Sequence, residues 1–182
     1  MRIIAGEAGG RKLNSLKKSN ARPTLDRVKE AIFSMIAPYL QSSNVLDLFA
    51  GFGGLGLEAI SRGANMATFV EKNYKNARII KENIELCKFQ DRTNLEVKDV
   101  FSFVTNTPDK YDNIFMDPPY NQGYEDKTLQ IIYENEIIKQ NGLIIIEHSK
   151  RTTIKELETF IKVKDKEYGD TAITVMQKKE EV

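Results

Sequence analysis

Asp47-Leu48-Phe49-Ala50-Gly51-Phe52-Gly53-Gly54-Leu55-Gly56 is the stretch whose reading decides the fold. The apolar residues at its start, Val45–Phe49, read as a buried strand, and Leu55–Arg62 reads as the helix after the turn. Glycines at the carboxyl end of a first strand let the backbone approach a ligand and reach turn geometries closed to other residues. Gly51, Gly53 and Gly56 satisfy G-x-G-x-x-G, so nicotinamide and flavin dinucleotides enter the comparison. Asp47 argues for a different nucleoside. A carboxylate inside the strand end repels a pyrophosphate and attracts the ammonium of a methionine-like group.

Outward from this turn the chain alternates. Met66–Glu71, Leu95–Lys98, Ile114–Asp117 and Leu143–Glu147 are further apolar strands. Between them lie a helix with Ala77, Ile80, Ile84 and Cys87 on one face, a short helix at Phe101–Asn106 and a third near Lys127–Tyr133. Ile154–Phe160 reads as helical. Val163–Tyr168 and Ala172–Met176, joined across Gly169-Asp170, read as an antiparallel hairpin. Strands that are nearly all apolar, alternating with helices, imply a parallel sheet covered on both faces. The expected fold is a doubly wound α/β sheet of seven strands, mostly parallel, ending in the antiparallel hairpin. Before it come a small hairpin, Arg2–Gly6 with Arg11–Leu13 around Gly9-Gly10, a Lys17–Asn20 loop, and a helix. Val28, Ala31, Ile32, Met35 and Ile36 form that helix's apolar stripe, Thr24 is its expected N-cap and Pro38 closes it. Lys178 to Val182 reads as a frayed tail.

A chain of 182 residues fits one domain, with 1–40 as a basic extension and 41–182 as the core. The sequence has one cysteine, Cys87, so an internal disulfide and a cysteine zinc cluster are both excluded, and no metal is expected. No apolar run reaches membrane-spanning length and the start lacks a signal-peptide stretch, which points to a cytoplasmic protein. The net charge of +1 hides an asymmetry: residues 1–30 carry eight basic and three acidic side chains, +5, leaving −4 for the remainder. A basic segment on a mildly acidic body points to a polyanionic partner, with Arg2, Arg11, Lys12, Arg22, Arg27 and Lys29 as the candidate contacts.

Three more acids fall at strand ends. Glu71 ends the second strand about 20 residues after the glycines, where a carboxylate accepts ribose hydroxyls. Asp99 follows the third strand, placed to accept from an adenine amine. Asp117-Pro118-Pro119-Tyr120 follows the fourth: an acid, two prolines and an aromatic make a stiff corner with one acceptor-rich side chain and one flat ring. Such a corner fits a planar base that bears an amine.

The glycine turn with Asp47, Glu71 and Asp99, followed by Asp-Pro-Pro-Tyr, resembles the class I S-adenosylmethionine-dependent methyltransferases of exocyclic amines, which have a Rossmann-like fold. More narrowly, the chain resembles the bacterial small-subunit rRNA guanine-N2 methyltransferase family (RsmD-like). Arg2-Ile3-Ile4-Ala5-Gly6, Gly10-Arg11-Lys12-Leu13 and Arg22-Pro23-Thr24-Leu25-Asp26-Arg27-Val28 carry the narrower likeness. Leu46–Gly51, Gly56-Leu57-Glu58-Ala59, Phe69-Val70-Glu71-Lys72 and Phe115–Tyr120 complete it. Ala5 stands where the family has glycine and Phe52 where it has a small residue.

The resemblance implies S-adenosyl-L-methionine held by Asp47, Phe49, Gly51, Gly53, Gly56, Glu71, Lys72, Asp99 and Val100. It implies methylation of a guanine N2 in 16S rRNA of the small ribosomal subunit or its assembly intermediate, with Asp117, Pro118, Pro119 and Tyr120 as the catalytic corner. A monomer is expected. Adenine N6 methylation, a non-catalytic RNA-binding relative and a nicotinamide oxidoreductase are the competing readings. Against the first stands the lack of a separate target-recognition domain, against the second the intact Asp117 and Pro118, and against the third the lack of a hydride-transfer partner. His148, after the fifth strand, reads as a structural group, and Cys87 as inert core.

Overall fold

The computed structural model describes residues 1–16, 23–120, 122–155, 157 and 160–178. Its elements are α1 (Pro23–Ile36), β1 (Asn44–Leu48), α2 (Gly54–Ser61), β2 (Met66–Val70), α3 (Tyr74–Cys87), β3 (Thr93–Glu96) and α4 (Val100–Asn106). β4 (Tyr111–Met116), α5 (Tyr124–Glu134), β5 (Ile138–Ser149), β6 (Phe160–Tyr168) and β7 (Thr171–Lys178) complete them. The seven strands form one sheet in the order β3-β2-β1-β4-β5-β7-β6. β1 to β5 pair in parallel, and β7 lies antiparallel between β5 and β6. The strand order reverses between β1 and β4, the switch point at which such sheets open a crevice beyond their carboxyl ends.

Strand periodicity divides the core. Val45, Ala67, Phe69, Phe115, Ile145, Ile173 and Val175 face α1, α2 and α3. Leu46, Leu48, Val70, Ile114, Met116, Ile144, Ile146 and Met176 face α4 and α5. Both faces are covered, which is why the strands read as apolar runs rather than as alternations.

α1 begins at Pro23, a position where proline's missing N–H costs nothing, so Thr24 lies inside the first turn instead of capping it. A 3₁₀ turn, Ala37–Tyr39, carries Pro38 and ends this segment. The amino-terminal hairpin is reduced to one bridge, Arg2 with Lys12, and docks on α2. The N–H groups of Ile4 and Ala5 donate to Glu58 at 2.7 and 3.0 Å, and that of Glu7 to the Ser61 carbonyl at 2.9 Å.

Two further expectations change. Ile154–Phe160 is not a helix: Ile154, Lys155 and Leu157 follow an irregular path and Phe160 opens β6. The helical spacing of Ile154, Leu157 and Phe160 is real, but all three drop into the α5-side core while β6 pairs with β7. Lys98 falls outside β3, which stops at Glu96. The Lys17–Asn20 loop, Arg22 and residues 179–182 lie outside the described residues.

Candidate active site

Asp47 sits near the end of β1, buried, and its Oδ2 accepts from the Gly56 N–H at 2.8 Å. The carboxylate thereby satisfies one of the unpaired N–H groups in the first turn of α2. Gly56 is glycine for a packing reason: a Cβ there would lie 2.3 Å from Phe69 Cε1, so α2 lies flat on β2 only without a side chain. Gly51 (φ 56°) and Gly53 (φ 80°) take the left-handed turns between strand and helix. Phe49 does so as well, at φ 59°, a conformation costly for a non-glycine residue. Its ring is held in place by stacking on Tyr124, centroids 5.9 Å apart.

Glu71 locks this turn to the neighbouring strand. Its Oε2 accepts from Gly51 N–H at 2.9 Å and its Oε1 from Asn73 N–H at 2.7 Å. Asp99 is the N-cap of α4, its Oδ1 accepting from Phe101 and Ser102 N–H at 3.0 and 3.3 Å. Each carboxylate has further lone pairs, so bonds to the backbone orient it without exhausting it.

A cavity of about 490 Å³ opens between these residues. Glu71, Lys72 and Asn73 line one side, Asp99, Val100 and Phe101 another, and Asp117–Tyr120 with Phe49 and Tyr124 close it. A second cavity, about 310 Å³, shares Phe49 and Asp117 with the first and is lined by Asp26, Lys29, Asp47, Gly51 and Glu147 among others. The two run together as one trough along the sheet edge. Its carboxylates are crowded. Burial pushes the Asp47 carboxyl up to about 8, Asp117 and Glu71 adding to the shift and the Gly56 N–H opposing it. Asp117 is open to the cleft yet ringed by protein, which pushes it up to about 6. Burial and the Asp117 charge raise Glu147 to about 8. The crowding marks the trough as a place for a cation.

Among the described residues, the basic amino-terminal side chains do not form a free arm. Lys29, a candidate polyanion contact, is instead buried: Nζ pairs with Glu58 at 3.1 Å and donates to the Arg2 carbonyl. It is therefore corrected from a surface phosphate contact to an internal ion pair. Arg2 pairs with Asp26 at 3.1 Å with most of its side chain exposed, Arg11 donates to the Leu86 carbonyl, and Lys12 and Arg27 are exposed. His148 is buried, with Nδ1 2.9 Å from the Ser149 carbonyl and Nε2 2.9 Å from Thr174 Oγ1, facing away from the trough.

Comparison with known proteins places this geometry. The family model described as conserved hypothetical protein 95 matches residues 1–177. The chain belongs to this family. Among the relatives of this conserved hypothetical protein 95 chain, "Ribosomal RNA small subunit methyltransferase D" of Haemophilus influenzae is 35% identical, over 97% of this chain and 93% of that one. The protein of the same name from Escherichia coli is 33% identical over 81% of this chain and 74% of its own. The solved structure of yhhF from Escherichia coli matches with a TM-score of 0.90 at 27% identity, covering 100% of this chain and 99% of that one.

In this member of the conserved hypothetical protein 95 family, several lining residues were not singled out by sequence. Phe101 and Tyr124 meet edge-to-face at 5.3 Å and, with Phe49, wall the cavity. Asn73 and Asn76 line it from the start of α3. An aromatic in a short apolar helix gives no signal in sequence that it faces a ligand. Among the described residues, no group of three or more His, Cys, Asp or Glu side chains is placed to hold a metal ion, and no helix is long and apolar enough to cross a membrane.

Proposed function

We propose that this chain transfers a methyl group from S-adenosyl-L-methionine to the exocyclic N2 of a guanine in 16S rRNA of the small ribosomal subunit. The observation that carries the reading is a nucleoside-sized cavity walled by the Asp117–Tyr120 corner, which shares Phe49 and Asp117 with the cavity that holds Asp47. The names of the relatives, ribosomal RNA small subunit methyltransferase D, support the substrate.

The residues fit the cofactor. Glu71 faces the cavity at the level of a ribose, Asp99 Oδ2 is left for an adenine amine, and Val100 and Phe101 offer apolar surface to the ring. Lys72 stands at the rim. Asp47, beside Gly51, Gly53 and Gly56, meets the methionine ammonium. When bound, S-adenosylmethionine supplies an electrophilic methyl on a cationic sulfur.

The rest is positioning by the chain. An exocyclic amine is a poor nucleophile because its lone pair is delocalised into the ring. Asp117 and the Pro118 carbonyl accept its two N–H bonds and turn the lone pair toward the methyl, while Pro118 and Pro119 fix the direction of that carbonyl. Tyr120 stacks on the base, a contact worth about 1–3 kcal/mol. Asp117 does not have to be a strong base, since the methylated amine is acidic and releases its proton readily. A paired guanine hides N2, so the target is unpaired or flipped. Arg2, Arg11, Lys12 and Arg27 form the RNA-facing surface among the described residues.

The crowded carboxylates give a pH test. Their folded-state pKa values lie above the unfolded ones, so the ligand-free protein holds protons that the unfolded chain releases. Its stability therefore falls as pH rises from the unfolded carboxylate range toward about 8. A bound cation removes this penalty. Thermal scans with saturating S-adenosylmethionine therefore show a larger stabilisation at about pH 8 than at about pH 6, and the uncharged-sulfur product S-adenosylhomocysteine shows less of this rise. Equal shifts at both pH values, for both ligands, contradict the assignment of the trough. The substrate class is tested with radiolabelled S-adenosylmethionine offered to naked rRNA, small subunits, duplex DNA and protein extract. Label enters rRNA or small subunits; label confined to DNA or protein overturns the reading.

A further inference from the structure

We propose that the end of β5, from Glu147 to Arg151, is the subsite for the acceptor nucleotide: Glu147 reads the guanine N1–H, and Arg151 with Lys150 takes an adjoining phosphate. This rests on the guanine-N2 reading above and adds the groups that choose the base.

The register places Glu147. Met116 pairs with Ile146, so Asp117 and Glu147 are the next residues on adjacent parallel strands, about 4.8 Å apart as strands lie. Both line the same cavity. Glu147 is half-buried, and its side chain has no hydrogen bond or ion pair among the described residues. Asp47 lies on the other side of Asp117, on β1, so the methionine end of the trough has its own acid and Glu147 is on the acceptor side. Tyr120 defines that side. Its hydroxyl is 3.1 Å from Thr171 Oγ1, and Thr171 pairs with Ser149, so the ring reaches from the end of β4 across the end of β5 to β7. Glu147 is close enough to disturb the Tyr120 hydroxyl. A base stacked on this ring with its amine at Asp117 brings its next edge atom over Glu147.

The chemistry of that edge discriminates. Beside its amine, guanine presents N1–H, a donor, whereas adenine presents N1, an acceptor. The Glu147 carboxyl is raised to about 8 in the ligand-free trough, and the cationic cofactor favours its ionised form; an ionised carboxylate only accepts, so it pairs with guanine and repels the adenine edge. On the outer side of Tyr120 a further pocket, about 230 Å³, is lined by Ser149, Lys150, Arg151 and Asp170. Lys150 pairs with the exposed Asp170 at 3.3 Å, while the Arg151 side chain has no ion-pair partner among the described residues. The Arg151 N–H bonds Ser149 Oγ at 3.3 Å and shapes the turn that presents it. Acid inside and cation outside orient the nucleotide, base toward Glu147 and phosphate toward Arg151.

The test uses the target-bearing rRNA fragment, alone or assembled in the small subunit, with guanine or 2-aminopurine at the mapped position. 2-Aminopurine keeps the amine but lacks N1–H. The wild-type protein prefers guanine by about 10²-fold in kcat/KM. In Glu147→Gln the amide can donate to N1, so this ratio falls to about one-tenth of its wild-type value while the Kd for S-adenosylmethionine stays within about twofold. Arg151→Ala keeps the ratio and the cofactor Kd but lowers the salt slope of RNA binding by about one. An unchanged ratio in Glu147→Gln, or a loss of cofactor affinity in its place, overturns the base-reading role. An unchanged salt slope in Arg151→Ala overturns the phosphate role. Failure of the guanine-N2 reading itself is seen separately, as a different labelled nucleoside made by the wild type from unmodified RNA.

Discussion

Asp117→Ala lowers kcat by about 10²–10³-fold, the loss expected when one preorganised polar group is removed from a reacting centre. The Kd for S-adenosylmethionine changes by no more than a few-fold. The split follows from position. Asp117 lies on the wall shared by the two cavities, where the acceptor amine meets the methyl, whereas Asp47, Glu71 and Asp99 face the remaining parts of the cofactor. Asp117→Asn retains one acceptor oxygen and falls between alanine and wild type. Single-turnover methylation with cofactor affinity measured in parallel decides it. A variant that loses cofactor affinity and keeps its turnover rate at saturation would place Asp117 in cofactor binding alone.

The largest effect on stability is expected far from the chemistry. Glu58→Gln destabilises the protein by about 3–5 kcal/mol, the cost of leaving a buried charge without its partner. Glu58 is fully buried in α2 and accepts from Ile4 and Ala5 N–H, Lys29 at 3.1 Å and Arg62 at 2.7 Å. Burial already lowers the Lys29 pKa, and the Glu58 charge is the main influence holding it up. Without that charge the Lys29 ammonium sits in the protein uncompensated. Tm drops by about 10 °C on the scaling for a chain of this size. Adding Lys29→Met recovers part of the loss. Urea unfolding of the single and double variants checks this, and a loss under about 1 kcal/mol for Glu58→Gln would mean that water reaches the pair.

The same node shows where sequence reading stops. The strands of the sheet were legible because apolar runs broken by glycine turns admit few other folds, and Asp47, Glu71, Asp99 and Asp117 were legible because each stands at a strand end. Lys29 was not. It shares a helix face with Ile32 and Ile36, three and seven residues on, which marks the flank of the buried stripe; only the docking of α2 supplies Glu58 as its partner. Asp99 was read as a ligand contact, yet its sequence position just before an apolar helix is also that of an N-cap, and one oxygen does serve as the cap. Ile154–Phe160 shows a third limit. Its three-residue spacing matches a helix, and the pairing of β6 with β7, a long-range choice, overrides it. Glu147 ends the fifth apolar run in sequence, but its place beside Asp117 depends on the β4–β5 register, which sequence alone leaves open.

The central claim is that the Asp117–Tyr120 corner delivers the N2 amine of a guanine in small-subunit rRNA to the methyl of S-adenosylmethionine. The most direct measurement incubates small subunits with radiolabelled S-adenosylmethionine and the wild-type protein or Asp117→Ala, then digests the rRNA to nucleosides. The account predicts label in N2-methylguanosine, lost with Asp117→Ala. Label in N6-methyladenosine, or equal label with and without Asp117, contradicts it.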